Sequence, residues 1–271
     1  MTPGGHPGVS DFGISSGEPA PRPRPERGAG DDPRFALADA LRRIITAVVG
    51  ANVPDDDLRA ATRAVDAAAD AMDAAAEPGR RPRSQPDPTG HPQDFFPTSP
   101  VIGFANPVAP PITVEAVDGA LVGTAYFDYQ YEGPPSCVHG GVIALVFDEM
   151  LGAANIAAGQ PGMTGTLTIR YRRPTPLRTS LRLEAGFVSR EGRKITTRGA
   201  IYDGDELTAE AEGIFIELVP ERFIEAVGRH SAAAEVLAQL RADALAAGIA
   251  ADVLPAPAGA PDEASDAAPT S

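Results

Sequence analysis

Residues 139–158, HGGVIALVFDEMLGAANIAA, form one segment of helical length, with apolar residues on either side of Asp148-Glu149, and strand-like segments flank it on both sides. Two precede it, at about 112–118 and 120–130, with Asp118-Gly119 between them as a hairpin turn. Four follow, at about 164–173, 180–190, 193–203 and 206–218, with Asp203-Gly204 as a second hairpin signal. Leu167, Ile169 and Tyr171 alternate with Thr168, Arg170 and Arg172, which is the two-residue period of a strand with one buried face. One apolar helix and about six mostly antiparallel strands leave few ways to bury the helix. The pattern predicts an α+β domain whose sheet wraps around it.

The flanks read differently. Residues 1–33 contain GEPAPRPRPERGAGDDP, with too few apolar side chains to offset the entropy of ordering, and are read as disordered. Residues 34–77 form a helical extension. Phe35, Leu37, Leu41, Ile44, Ile45 and Val48 recur at roughly helical spacing up to a stop at Gly50. Pro54 and Asp55-Asp56-Asp57 then start a second, Ala-rich helix with acids at the positive end of its dipole. Residues 78–94, rich in Pro and Arg, are a linker. The compact domain spans 95–220, beginning near Phe95-Phe96-Pro97. A helix at 221–250 and a disordered tail at 251–271 follow.

Composition narrows the classes. One cysteine, Cys137, permits no intrachain disulfide and suits the cytoplasm. The N-terminus lacks a basic start and an apolar core of signal-peptide type, and no apolar run approaches the roughly 20 residues of a membrane helix. A formal net charge of −14 argues against general affinity for nucleic acid.

The stretch GPPSCVHGGVIALVFDEMLG, followed by GMTGTLTIRYRRPTPL, resembles the PaaI-type thioesterases of the 4HBT, or hotdog, superfamily. It is similar in particular to the branch that contains the human mitochondrial members. The His-Gly-Gly, the Asp nine residues after the His, the Met-Thr and the Tyr-x-Arg-Pro-x-Pro-Leu occur in that family's order and spacing, over about residues 100–218. The resemblance implies a hotdog fold and hydrolysis of a fatty-acyl or aryl-acyl CoA thioester. It implies no metal or organic cofactor, and a homodimer or a dimer of dimers. It points to Gly140 N–H as oxyanion donor with Gly141 second, to Asp148 as general base or nucleophile, to His139 as a positioner of the loop or the thioester, and to Thr164 as a holder of water. Val142, Leu145 and Val146 would lie beside the acyl chain. Relatives often carry Asn or Gln just before the His-Gly-Gly. Here the loop is Gly133-Pro134-Pro135-Ser136, so Ser136 or Thr164 would have to take that part.

Elementary chemistry supports the same roles. The first N–H groups of a helix have no intrahelical partner, and two glycines let a ligand approach them closely. Such donors suit the developing oxyanion of a thioester. Gly141, Ala144, Leu145, Asp148 and Gly152 share one helical face, where a carboxylate among apolar groups is costly unless it is used or paired. Eight residues of helix span about 12 Å, so Gly140 and Asp148 of one chain cannot touch one thioester carbon. Two chains would have to combine. Glu149 points about 100° away on the helix and reads as a solvated or interface carboxylate. Plainer readings exist for the others: Asp148 bonded to backbone, His139 bonded to a carbonyl, Thr164 an ordinary strand threonine. Cys137 lies two residues from His139 and could be a thiolate nucleophile, but no third orienting group is evident.

Residues 170–198 hold nine basic side chains against Glu184 and Glu191. Arg172, Arg173, Arg193 and Lys194 are candidates for the phosphates of CoA, with solvated strand positions as the plainer reading. Two rivals remain: a hotdog hydratase or dehydratase acting on acyl thioesters, and a non-catalytic acyl-CoA binding protein.

Overall fold

The computed structural model describes residues 32–76, 97–117 and 119–217. The boundaries read at 95 and 220, the 78–94 linker, the 221–250 helix and the 251–271 tail lie outside these residues, as does Asp118 of the first hairpin turn. Six strands form one sheet: β1 (Ile112–Val117), β2 (Ala120–Tyr126), β3 (Gly162–Tyr171), β4 (Ser180–Glu191), β5 (Lys194–Asp203) and β6 (Glu206–Glu217). Their order across the sheet is β1-β2-β4-β5-β6-β3. The chain passes from β2 through the helix before adding β3, so β1 and β3 form opposite edges.

The long helix is α3 (Gly140–Ala157), numbered after two N-terminal helices, α1 (Pro33–Gly50) and α2 (Asp55–Ala75). It packs across β2, β3, β4 and β5. Ile143, Val146, Phe147, Met150, Leu151 and Ala154 of α3 are buried in one cluster with Leu121, Leu181, Leu183, Ile195, Ile201 and Phe215 of the sheet. Two glycines let the helix settle: a Cβ at Gly213 would lie 2.5 Å from the Phe215 ring and 3.0 Å from Leu151, and one at Gly199 would lie 3.1 Å from Leu151. By length and composition α3 could cross a bilayer, which the sequence reading missed. One side of it, with Ile143, Val146, Phe147, Met150, Leu151 and Ala154, is buried against the sheet.

The outer face of the sheet is charged. Arg198 meets Glu212 at 2.7 Å, Arg170 and Arg172 meet Glu210, and Arg182 meets the buried Glu184 while stacking 4.1 Å over the Tyr202 ring.

Several boundaries differ from the sequence reading. β2 stops at Tyr126 instead of about 130, because the Asp128 side chain accepts from Tyr129 N at 3.0 Å and starts a 3-10 turn over Tyr129–Tyr131. β3 starts at Gly162 and ends at Tyr171. The amides of Arg172 and Arg173 both turn to Thr208 O, at 2.8 and 3.0 Å, and the regular ladder stops there. Asp32 and Pro33, assigned above to a disordered segment, begin α1: Asp32 caps it by accepting from Arg34 N, and Pro33 occupies its first turn.

Of the large apolar side chains of α1, Phe35, Leu41 and Ile45 are half-buried, and Phe35 packs edge-on to Phe104 with ring centroids 6.3 Å apart. Leu37, Ile44 and Val48 are exposed, and Ala38 is the buried residue. Arg42 supplies the grip, donating to the carbonyls of Gly103, Phe104, Asn106 and Ala109 at 3.3, 3.0, 2.7 and 3.0 Å. At its far end Gly50 meets the 3-10 turn so closely that a Cβ would lie 2.2 Å from the Tyr129 ring. No residue of α2 is buried.

Candidate active site

His139 is the N-cap of α3. Its backbone is extended (φ −61°, ψ 132°), and its Nδ1 accepts from Gly141 N at 3.0 Å. The loop before it is tied down by main-chain bonds: His139 N to Tyr131 O at 2.9 Å, Val138 N to Thr175 O at 2.8 Å, and Leu177 N to Ser136 O at 3.0 Å. Gly133 lies directly against His139, since a Cβ there would be 2.7 Å from the His139 Cα and 3.2 Å from its Cδ2. Ser136 reaches φ +63° in this turn, with its amide donating to Glu132 Oε1 at 2.6 Å.

This cap separates the two glycines. Gly141 N–H is occupied by the imidazole. Among the described residues no acceptor is bonded to Gly140 N–H, and it remains available at the positive end of the helix dipole. The geometry therefore favours Gly140 over Gly141 as a donor to a ligand. A Cβ at Gly140 would meet only ordinary van der Waals contact, 3.4 Å from the Tyr171 hydroxyl, whereas one at Gly141 would press on the imidazole at 3.1 Å. The occupied Nδ1 also leaves that nitrogen unable to accept from the Cys137 thiol.

Asp148 lies two turns along the same helix, on the face turned away from the sheet, and is exposed. Its Oδ1 accepts from Thr164 Oγ1 at 2.7 Å. The hydroxyl from the start of β3 thus orients one carboxylate oxygen and leaves Oδ2 for another partner. The structure brings Asp148 to Thr164 and His139 to Gly141. The two clusters stand at different positions along α3.

Around them the open face is apolar. Leu145 is 43% exposed, Ile156 53%, Met163 54% and Tyr171 53%. Gly141 and Leu145 lie on this face and Val142 is partly buried beside it. Val146, expected beside an acyl chain, is instead in the core at 1% exposure: it is one residue round the helix from Leu145, on the sheet side. Glu149, read above as a solvated or interface carboxylate, is half-buried and accepts from Ser99 Oγ at 3.1 Å. Burial pushes its carboxyl above the ordinary value of 4.5; the Ser99 hydrogen bond opposes this and the neighbouring Asp148 charge adds to it.

The four basic candidates do not converge. Arg172 and Arg173 follow Tyr171 at one end of the sheet, where they pair with Glu210 and Glu206. Lys194 begins β5 opposite Ile216, and Arg193 precedes it in the β4–β5 turn. Nine residues of strand separate that end from Asp203, roughly 30 Å. Among the described residues no three His, Cys, Asp or Glu side chains form a group that could hold a metal ion.

The sequence assigned no role to two residues at the site, although Tyr171 opens the Tyr-x-Arg-Pro motif. Tyr171 was grouped with Leu167 and Ile169 by alternation, yet its hydroxyl donates to Gly140 O at 2.8 Å. Ser99 stood in a segment with no periodicity at all.

The thioesterase superfamily model matches residues 136–210, from the turn before His139 into β6. A thioesterase superfamily protein solved by crystallography is 34% identical and superposes with a TM-score of 0.63, over 72% of this chain and 94% of that one. The chain belongs to the thioesterase superfamily. Acyl-coenzyme A thioesterase THEM4 of Xenopus laevis is 37% identical over 91 residues, 33% of this chain and 41% of the relative. Acyl-coenzyme A thioesterase THEM4 of Mus musculus is 38% identical over 93 residues, 34% of this chain and 40% of the relative. This chain thus spans about two fifths of the length of these curated relatives.

Proposed function

We propose that this chain is an acyl-CoA thioesterase that works as a homodimer, each site built from Gly140 of one copy and Asp148 of the other. The observation that carries the reading is the pairing of Asp148 with Thr164 on the open face of a helix whose first N–H is unpartnered. Each chain thus offers two half-sites about 12 Å apart along α3. A second copy laid antiparallel on this face sets one chain's carboxylate against the other's N–H. It also covers Leu145, Ile156 and Met163, whose exposure on the same side has no other account.

In the reaction, the thioester carbonyl oxygen accepts from Gly140 N–H, which stabilises charge as the tetrahedral intermediate forms. The partner's Asp148, oriented by Thr164, removes a proton from the attacking water or attacks the carbonyl itself. His139, with Nδ1 occupied, presents an Nε2–H towards the thioester. The acyl chain lies along Val142 and Leu145. CoA leaves as the thiol. The single cysteine is our ground for placing the enzyme in the cytoplasm.

The test is free-thiol release from acyl-CoAs of graded length, with the organic product identified and Asp148→Asn run in parallel. The reading requires free acid plus CoA, and a kcat reduced by roughly 10²–10⁴ in the variant with KM largely kept. An enoyl or hydroxyacyl thioester as product, or near wild-type turnover by Asp148→Asn, refutes it. A single turnover in ¹⁸O-water identifies a nucleophilic Asp148 when water opens the aspartyl–acyl anhydride at the aspartyl carbonyl, which puts the label in Asp148; general-base catalysis puts it in the product acid alone.

A further inference from the structure

The His-Gly-Gly turn is held from a direction the catalytic roles do not use. Tyr171 ends β3, an edge strand, and its hydroxyl reaches back to the first residue of α3, donating to Gly140 O at 2.8 Å. That carbonyl belongs to the peptide whose N–H, on Gly141, donates to His139 Nδ1 at 3.0 Å. The three groups form one directed chain: phenol to carbonyl, through the peptide, then amide to imidazole. A hydrogen bond accepted at a peptide carbonyl polarises the peptide and makes its N–H a better donor. An imidazole that accepts at Nδ1 carries its proton, when neutral, on Nε2. Gly133 and Gly141 leave room for this histidine, since a Cβ at the former would press on His139 Cα and Cδ2 and one at the latter on its Nδ1.

We propose that Tyr171 is a positioning residue that acts through the Gly140–Gly141 peptide to hold His139 as an Nε2–H donor facing the substrate. The proposal rests on the thioesterase reading for what that donor meets. Its structural half, the relay itself, stands apart from any activity.

Tyr171→Phe removes the hydroxyl and keeps the ring. Two readouts are needed. The first is NMR of the full-length ¹⁵N-labelled protein at about pH 9, where an ordinary imidazole is neutral. The coupling across the Gly141 N–H···Nδ1 bond is measured there, with the His139 resonance assigned by its loss in His139→Gln. Wild type should show the coupling with the ring proton on Nε2, and Tyr171→Phe should weaken or abolish it. The second is steady-state kinetics on an acyl-CoA, where kcat should fall about five- to tenfold with KM within about twofold. A wild-type ring protonated on Nδ1, or a coupling identical in the two proteins, overturns the proposal. So does a kcat that does not change while the coupling is lost. If wild type hydrolyses no acyl-CoA but the coupling responds as expected, the relay is supported and the thioesterase reading falls. Normal hydrolysis with an unresponsive coupling gives the reverse.

Discussion

Hybrid dimers offer a direct test of a site shared between two chains. One copy carries Gly140→Pro and the other Asp148→Asn. Gly140 is the first residue of α3, where proline is well accommodated and where the N–H it lacks has no intrahelical partner. The residue before a proline must be extended, and His139 already is, at φ −61° and ψ 132°. A Cβ at position 140 meets nothing closer than 3.4 Å. The substitution should therefore remove the oxyanion donor without disturbing the turn. Loss of one such donor costs about 10²–10³ in kcat, and loss of the base about as much or more, so each parent should be nearly inactive. In a hybrid, one site has both defects and the other has neither. Random mixing of equal amounts makes half the dimers hybrid, each with one intact site, so specific activity should recover to about a quarter of wild type. Parents and mixture would be compared by thiol release after co-refolding, with hybrid content measured by differential tagging. Confirmed hybrids no more active than their parents would mean that both groups act within one chain, and the antiparallel pairing of α3 would be wrong.

Thr164→Val deletes the 2.7 Å bond to Asp148 and should lower kcat about tenfold, while Thr164→Ser keeps most of it; equal rates in both would make Thr164 a bystander. Arg42→Ala removes the guanidinium from four backbone carbonyls, of which Gly103 O and Asn106 O keep a main-chain amide and Phe104 O and Ala109 O lose their donor among the described residues. It should cost about 2–4 kcal/mol in urea unfolding, and a loss under about 0.5 kcal/mol would show that α1 docks by other means. Glu149 has a folded-state pKa above its ordinary 4.5. Its contribution to stability is therefore complete below about 4.5 and is lost as pH rises through the folded value. The stability of wild type relative to Glu149→Gln should fall with rising pH across that window, and a difference that stays flat would refute the assignment.

The sheet and its helix were legible because their periodicities differ and because α3 is apolar apart from Asp148, Glu149 and Asn155. The site was legible in part for the same reason: Gly140 and Asp148 sit on one helix at a fixed spacing. What the sequence hid were contacts that depend on who pairs with whom. Counting charge over residues 170–198 suggested a free basic surface. Antiparallel pairing folds β6 back beside those residues, and Glu206, Glu210 and Glu212, all outside that window, neutralise Arg173, Arg172 and Arg198. Tyr171 obeyed the alternation that marks an inward residue, but β3 is an edge strand with little to cover it, so its ring reached along the surface to Gly140 instead. Ser99 and Arg42 bond to an irregular segment, where neither period applies.

The grip of Arg42 is sequence-blind. Its four acceptors are peptide carbonyls, which every amino acid supplies alike, so selection on docking falls on the guanidinium and hardly at all on the side chains beneath it. Among descendants of a common ancestor, Arg42 should stay fixed while its acceptor positions drift as far as their other contacts allow, Phe104 being held by its ring contact with Phe35. Gly103 is fixed too, for a Cβ there would come within 2.4 Å of Ser99 N and 2.6 Å of Pro97 O. Arg42 and the glycines at 50 and 103 would then mark the attachment of α1 across lineages whose intervening residues no longer align.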